Sequence, residues 1–237
     1  MMKAVFLLSG LILSGLCSTQ AGASSEIASP NLTFTTFYAP KGFDDNDNAQ
    51  IVAEGRFPNT CYRQAAPTVT IDQKTKTVQI HPNAYIVPGV CLQMIVQYSQ
   101  VINLGQMGHG DYKIQDSTNQ RVTENLYVAI AASAATDDFL YAPIQQATVE
   151  SNGHAASLIL TGTFTNSCLD LNDVRLDMQE KVLVVRPIAQ AKNLPSCRQG
   201  QFPFKKEIAL SDSMHGHYLL HVRSMSGGSL NSVIDVE

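Results

Sequence analysis

The chain has 237 residues, a formal net charge of −4 and no tryptophan. This length suits one or two domains, and the mildly acidic balance argues against nucleic acid or an anionic membrane surface as the main partner. No segment beyond the amino terminus reaches the roughly 18 consecutive apolar residues of a membrane-spanning helix, so no such helix is predicted.

The first 23 residues have the pattern of a signal peptide. Lys3 supplies a positive charge, residues 5–16 are mostly apolar, and Ala21-Gly22-Ala23 offers the small side chains that a signal peptidase requires. The sequence therefore predicts cleavage after Ala23 and export to the bacterial periplasm or the extracellular space.

Residues 24–33 form a short polar leader after the predicted cleavage site. Cys17 raises lipidation as an alternative to cleavage after Ala23. A lipoprotein signal needs a small residue directly before the cysteine, and Leu16 stands there instead. Residues 1–23 are therefore interpreted as an ordinary signal peptide.

The remaining chain is predicted to contain two copies of one unit, residues 34–136 and 137–237. Five blocks recur in the same order at an offset of 103 to 107 residues. Ordered matches at a nearly constant offset indicate an internal duplication. The matched blocks begin at Tyr38 and Tyr141, Gly55 and Gly162, Ile71 and Leu176, Cys91 and Cys197, and Leu104 and Leu210, the last of which includes His109 and His215.

Four cysteines follow the signal peptide, and an even number of cysteines in an exported chain predicts disulfide bonds. Each copy holds two of them at equivalent places, so the simplest pairing is Cys61 with Cys91 and Cys168 with Cys197. A closed loop of about 30 residues is worth roughly 3–4 kcal/mol on the chain-entropy model.

Alternating polar and apolar residues predict about seven strands in each copy. Seven short strands in about one hundred residues are typical of a β-sandwich, and the short link between the copies favours end-to-end packing. In the first copy the predicted strands lie near residues 34–39, 49–57, 67–72, 76–81, 91–99, 111–116 and 122–131. In the second copy they lie near 138–142, 155–164, 173–178, 182–189, 203–210, 217–224 and 231–236.

A Gly-x-Tyr pattern opens one strand in each copy, at Gly110 with Tyr112 and at Gly216 with Tyr218. It resembles the tyrosine corner of immunoglobulin-like sandwiches, in which the phenol bonds the backbone at a turn between sheets. The resemblance implies an all-β fold of two tandem immunoglobulin-like antiparallel β-sandwich domains. It names no specific family, because the tryptophan and the cysteine spacing of antibody domains are missing.

The most distinctive motif in each copy is Gly-x-Phe-x-Asn-x-Cys. Strand alternation would place its four named residues on one face of a sheet, with phenylalanine in the core and asparagine bonding a neighbouring loop. We interpret the motif as structural. Its members are Gly55, Phe57, Asn59 and Cys61 in the first copy, and Gly162, Phe164, Asn166 and Cys168 in the second.

Three histidines near the carboxyl terminus are the candidate metal ligands. His215, His217 and His221 share one face of a predicted strand, and imidazoles placed in this way can bind Zn²⁺ or Cu²⁺. The alternative is a polar face on a surface strand.

The run Asp44-Asp45-Asn46-Asp47-Asn48 concentrates side-chain oxygens that could bind Ca²⁺, but it lacks the internal glycine and distal glutamate of an EF-hand loop, so a polar hairpin loop is preferred. No catalytic residues are predicted.

A non-catalytic binding or structural module of the bacterial envelope or extracellular space is the preferred function, with a protein or envelope component as partner. A secreted protease inhibitor that presents a disulfide-supported loop is the second hypothesis, with residues 83–88 and 193–199 as its candidate loops. A metal-binding protein or metal-assisted hydrolase that uses the carboxyl-terminal histidines is the third.

Overall fold

The computed structural model describes residues 27–28, 32–152 and 155–236. The predicted signal peptide, with Cys17 and the cleavage site after Ala23, lies outside these residues, as does most of the leader 24–33. In the described ranges every regular element is a strand, and no helix there has the length and apolar character needed to cross a membrane.

The first half of the molecule, residues 32–136, holds two main sheets and, together with residues 27–28, one small sheet. Strand order is β2-β4-β9 in the first main sheet, β3-β11-β10-β7-β6 in the second, and β1-β8-β5 in the small one. The strands are β1 (Ile27–Ala28), β2 (Phe34–Tyr38), β3 (Phe43–Asp44), β4 (Ala49–Phe57), β5 (Tyr62–Gln64), β6 (Thr68–Asp72), β7 (Thr77–His81), β8 (Ala84–Ile86), β9 (Val96–Gly105), β10 (Gly110–Asp116) and β11 (Thr123–Ala129).

The second half, residues 137–236, holds two sheets with strand orders β12-β13-β16 and β14-β15-β17-β18. Most neighbours in both halves run antiparallel, but β7 pairs parallel with β10, β3 with β11, and β15 with β17. The strands are β12 (Ile144–Asn152), β13 (Ala155–Asn166), β14 (Leu169–Gln179), β15 (Val182–Ala191), β16 (Gln199–Ala209), β17 (Gly216–Ser224) and β18 (Gly228–Val236).

Each half encloses its own hydrophobic core between its two main sheets. Alternation along the strands turns every second residue inward, for example Ile51 on β4 and Ile114 on β10 in the first half. In the second half Leu160 on β13 meets Val185 on β15 and Leu220 on β17. Both arrangements are β-sandwiches, because two sheets pack face to face over one apolar layer.

Each half also contains one disulfide. Cys61 bonds Cys91 and Cys168 bonds Cys197, and the Cα–Cα distance is 5.3 Å in both pairs. The pairing predicted from the repeat is therefore confirmed.

Two strand predictions were wrong. The predicted strand 91–99 lies at Val96–Gly105, because residues 91–95 belong to the disulfide loop, where apolar side chains point to solvent. The predicted strand 138–142 lies at Ile144–Asn152, and Tyr141 makes only an isolated bridge to Ile188. Apolar, β-branched composition resembles a strand whether or not the chain is paired.

The halves pack face to face rather than end to end. Val52 points away from the first core, and Leu219 points away from the second, so each adds an apolar side chain to the outer face of its sheet. Tyr38, Val182 and Val184 complete a small buried cluster between the halves. Because the segment Val182–Val185 of β15 is covered on both faces, it is apolar throughout, as expected of a fully buried strand. β17 is buried in the same way from Leu219 to Val222, but His221 interrupts its apolar run.

Candidate binding surface

The most exposed apolar segment in the described part of the chain is residues 86–95, here called the apolar loop. Val90 is 98% exposed, and Leu92 and Ile95 are each 64% exposed. Ile86, Val87 and Met94 are also exposed, so six large apolar side chains of one short segment face solvent. Single exposed apolar residues are normal on protein surfaces, whereas large contiguous apolar patches are typical of interaction sites.

The apolar loop is anchored to the sandwich at several points. The Cys61–Cys91 disulfide joins it to the turn after β4. The backbone N–H of Val87 donates to Cys61 O at 2.9 Å, and the N–H of Leu92 donates to Thr60 Oγ1 at 3.0 Å. In return, the N–H of Thr60 donates to Leu92 O at 3.2 Å. These bonds hold the backbone, so the apolar side chains are presented in a fixed arrangement.

The apolar loop and the sequence that flanks it contain no acidic residue, lysine or arginine. No Asp, Glu, Lys or Arg occurs between His81 and Asp111, a stretch that contains the apolar loop and all of β9. Charged side chains are the usual means by which a protein keeps an apolar surface in water. Their absence here favours a surface that becomes covered.

The corresponding loop of the second half has the same backbone bonds and different side chains. The N–H of Ser167 donates to Arg198 O and the N–H of Arg198 donates to Ser167 Oγ, each at 3.0 Å. Arg198 therefore takes the place of Leu92, and by the same offset Ser196 takes the place of Val90. Lys192 in this loop pairs with Asp170 at 3.2 Å, so this loop is largely polar.

The Gly-x-Phe motif makes room for an aromatic ring on the neighbouring strand. Gly55 is the register partner of Tyr98, and a Cβ at Gly55 would lie 2.5 Å from the Tyr98 ring. That ring stacks on Phe57 with centroids 4.1 Å apart, and burial raises the pKa of Tyr98 to about 12. Gly162 is paired in the same way with Phe204.

Sequence reasoning missed these two aromatic partners. Tyr98 and Phe204 stand at the offset of 106 residues that the cysteines also show, and this was the signal that could have found them. The remaining motif residues are close to the prediction: Phe57 and Phe164 are buried, and Cys61 and Cys168 form the disulfides.

The motif asparagines bond locally. Asn59 Oδ1 accepts from the N–H of Cys61, and Asn166 Oδ1 accepts from the N–H of Cys168, each at 3.0 Å. In the first half β4 ends at Phe57, so Asn59 lies in a turn beyond the strand and not on the predicted sheet face. The turn positions the cysteine for its disulfide.

Both Gly-x-Tyr patterns lie at the start of a strand, and both phenols bond the backbone just upstream. Tyr112 donates to Gly108 O at 2.8 Å and also contacts the Gln73 side chain. Tyr218 donates to His215 O at 3.0 Å. Gly110 and Gly216 have φ of 138° and 117°, in the range that favours glycine.

The three candidate metal ligands occupy different environments. His215 is exposed and precedes β17, His217 is partly exposed on β17, and His221 is fully buried between the halves. Across the described residues, no three His, Cys, Asp or Glu side chains are grouped so that they could hold a metal ion. The zinc or copper hypothesis stays a prediction that only metal analysis of the protein tests.

His217 bonds its own half through one ring nitrogen and the first half through the other. Nδ1 lies 2.6 Å from Asp235 Oδ1 on β18, and Nε2 lies 2.9 Å from Glu54 Oε1 on β4 of the first half. The hydrogen bonds to Asp235 and then to Glu54 raise the pKa of His217 above its ordinary value. Tyr38 donates to the second oxygen of Glu54 at 2.8 Å, which completes the contact.

His221 and Arg223 continue this contact deeper into the interface. Burial lowers the pKa of His221 to about 3, so its imidazole is neutral, and Nδ1 contacts Asn231 Oδ1 at 2.7 Å. Arg223 donates to Gly42 O at 2.6 Å, pairs with Asp47 at 3.5 Å and lies over the Phe43 ring. The predicted surface strand is therefore part of the interface between the halves.

A comparison with protein families gives a match in the first half. Residues 51–128 match the model of the ORF11 beta-sandwich domain. The matched segment runs from β4 to β11 and contains the apolar loop and the Cys61–Cys91 disulfide. Together with the two-layer core, this match supports a β-sandwich. No curated protein matches the chain, and no solved structure matches it.

Proposed function

We propose that this chain is an exported, non-catalytic binding module of the bacterial envelope or extracellular space, and that its apolar loop contacts a partner protein. The observation that carries the proposal is the exposure of Val90, Leu92 and Ile95 on a disulfide-anchored backbone. Burial of apolar surface contributes about 25 cal/mol per Å². A loop that is already ordered loses little conformational entropy when it binds.

Export belongs to the same proposal. The signal-peptide pattern of residues 1–23 and the two disulfides both fit an oxidising compartment. The periplasm and the extracellular space meet this condition equally. Amino-terminal sequencing of the exported protein tests it, because a first residue of Ser24 is expected.

The module is further proposed to be a tandem of two immunoglobulin-like domains that arose by duplication. The order β2-β4-β9 corresponds to β12-β13-β16, and β6-β7-β10-β11 corresponds to β14-β15-β17-β18. The parallel pairs β7-β10 and β15-β17 fall at the same place in the two halves. The matched Gly-aromatic partners and the two tyrosine-to-backbone bonds add support.

A binding experiment with matched variants tests the role of the loop. The purified protein is immobilised, and envelope extract is passed over three forms: unchanged, Val90→Asp with Leu92→Ser, and Leu194→Ser. Leu194 lies in the corresponding loop of the second half and is 45% exposed. We expect one protein to be retained by the unchanged form and by Leu194→Ser, and to be lost from the Val90/Leu92 variant.

The retained protein is then purified and titrated against the same three forms by calorimetry. Equal affinity for all three forms would contradict the proposal, as would an extract in which no protein distinguishes them. Circular dichroism of the variants checks that the sandwich is intact.

The same loop favours protease inhibition as a second candidate function. Residues 86–91 run from the predicted loop 83–88 into the disulfide, with Pro88 and the exposed Val90 between the anchors. A protease with an aliphatic specificity pocket would accept such a side chain. Slowed peptide hydrolysis by an elastase-type enzyme, relieved by Val90→Asp, is the expected result. Unslowed hydrolysis across a panel of serine proteases would remove this candidate.

A further inference from the structure

The strands β9 and β16 occupy the same position in the two halves. Each is the last strand of a three-stranded sheet, and each pairs on one side only, β9 with β4 and β16 with β13. The other side, here called the outer edge, pairs with no further strand of the described residues. β9 has ten residues and β16 has eleven, so both outer edges are long.

An unpaired edge is a template for another strand, and proteins commonly protect it with proline and with lysine or other charges. β16 carries such protection in Pro203, Lys205, Lys206 and Glu207. β9 carries no proline and no charged residue.

The two edges can be compared residue by residue, because the register is known. Tyr98 faces Gly55 across the sheet as Phe204 faces Gly162, so the strands correspond at an offset of 106 residues. The protective residues of β16 then correspond to uncharged residues of β9. Gln97 stands for Pro203, Ser99 for Lys205, Gln100 for Lys206 and Val101 for Glu207.

We propose that the outer edge of β9 pairs antiparallel with the same edge of a second copy of this chain. The result is a twofold dimer with a continuous six-stranded sheet in the order β2-β4-β9-β9-β4-β2. Antiparallel pairing of identical strands brings each edge against itself, which suits a strand without charge. A charged edge would place like charges opposite one another.

The protection of β16 explains why the assembly closes. If both edges were receptive, a β9-to-β16 contact would be heterologous and would continue into a chain of molecules. Because β16 is protected, each copy has only β9 available for edge pairing of this kind, and the twofold contact occupies that edge. Two side-chain bonds join this edge to residues 64–65 of the same chain. Gln64 Nε2 donates to Ser99 O at 2.7 Å, and Gln100 Nε2 donates to Ala65 O at 2.9 Å. In the dimer a backbone donor of the second copy takes the place of the Gln64 amide.

Sedimentation velocity over a range of protein concentrations tests the dimer. The unchanged protein is expected to sediment as a dimer that dissociates on dilution. The variant Ser99→Lys with Val101→Glu, which copies the residues of β16, is expected to be monomeric. The reciprocal variant replaces all four protective residues by their β9 counterparts: Pro203→Gln, Lys205→Ser, Lys206→Gln and Glu207→Val. It is expected to form species larger than the dimer.

Hydrogen exchange separates loss of pairing from loss of folding. In the unchanged protein the β9 amides that face the outer edge should lose protection on dilution, while β4 and the core of the first half stay protected. In the Ser99/Val101 variant the edge amides should exchange quickly at every concentration. A monomeric unchanged protein, or a variant that remains a dimer, would overturn the proposal.

The dimer does not rest on the proposed binding function. Val90→Asp with Leu92→Ser is expected to keep the sedimentation behaviour of the unchanged protein while it loses the partner. Ser99→Lys with Val101→Glu is expected to lose the dimer. If the Val90/Leu92 variant still binds the partner, the binding proposal is wrong. If the Ser99/Val101 variant remains a dimer, the dimer proposal is wrong.

Discussion

The two disulfide loops have the same covalent closure and the same backbone bonds, yet they present opposite surfaces. The first loop exposes Val90 and Leu92, and the second has Ser196 and Arg198 at the corresponding positions. The edges β9 and β16 differ in the same direction. The comparison teaches that the scaffold of each half can be kept while its outer surface is changed from charged to apolar.

Removal of the disulfides is expected to have the largest effect on the stability of the two halves. Cys61→Ser with Cys91→Ser, and Cys168→Ser with Cys197→Ser, should each lower the free energy of unfolding by about 3–4 kcal/mol, since the closed loops are nearly equal in length. Chemical denaturation measures the change. Only the first pair is expected to weaken partner binding as well, so equal binding losses in both variants would contradict the difference between the loops.

Adding a methyl group at the motif glycines comes next. Gly162→Ala should cost about 1–3 kcal/mol, because the new Cβ would overlap the backbone oxygen of Pro143 as well as the Phe204 ring. Gly55→Ala should cost less, because the Cβ meets only the side chain of Tyr98. Thermal unfolding measures the loss of stability in each variant. A larger loss for Gly55→Ala than for Gly162→Ala would contradict this ranking.

Acid should weaken the second half more than the first. The folded pKa of His221 is about 3 and its ordinary value is 6.5, so the unfolded chain binds the proton first as the pH falls. Stability that is complete above pH 6.5 is therefore lost between pH 6.5 and 3, at about 1.4 kcal/mol per pH unit. Urea unfolding at pH 7 and 5 measures this loss, which His221→Gln should largely abolish.

His217 is expected to act in the opposite direction and more weakly. Its pKa is raised in the folded state, so its contribution is present below its ordinary value of 6.5 and is lost as the pH rises through the folded value. The side chain is 43% exposed, and solvent screening limits the contribution to less than about 1 kcal/mol. NMR titration of the imidazole in the unchanged protein and in Asp235→Asn would show the direction.

Exchange of the loop side chains should have the smallest effect on stability. Val90→Ser with Leu92→Arg, which copies the second loop, is expected to change the free energy of unfolding by no more than about 0.5 kcal/mol, since both side chains face solvent. Partner binding should be lost in the same variant. A large loss of stability would mean that the apolar loop packs against the sandwich and is not a free surface.

The residue pattern predicted the all-β class of fold and the pairing of the cysteines. Alternation identified β4 at residues 49–57, and the repeat paired the four cysteines. Composition misled the prediction at residues 91–95, because β-branched and aliphatic residues resemble a strand whether they are paired or exposed. The site was affected by the same error: Leu92 and Ile95 were assigned to a strand, although they lie in the exposed loop.

The sequence by itself determined the β-rich elements and the two covalent loops, because these depend on short-range periodicity and on the repeat. Only the tertiary structure decided that β17 lies between the halves and that the apolar loop lies outside them. Exposure depends on what packs against an element from distant parts of the chain. His221 and Val90 illustrate this, since the polar residue is buried and the apolar residue faces solvent.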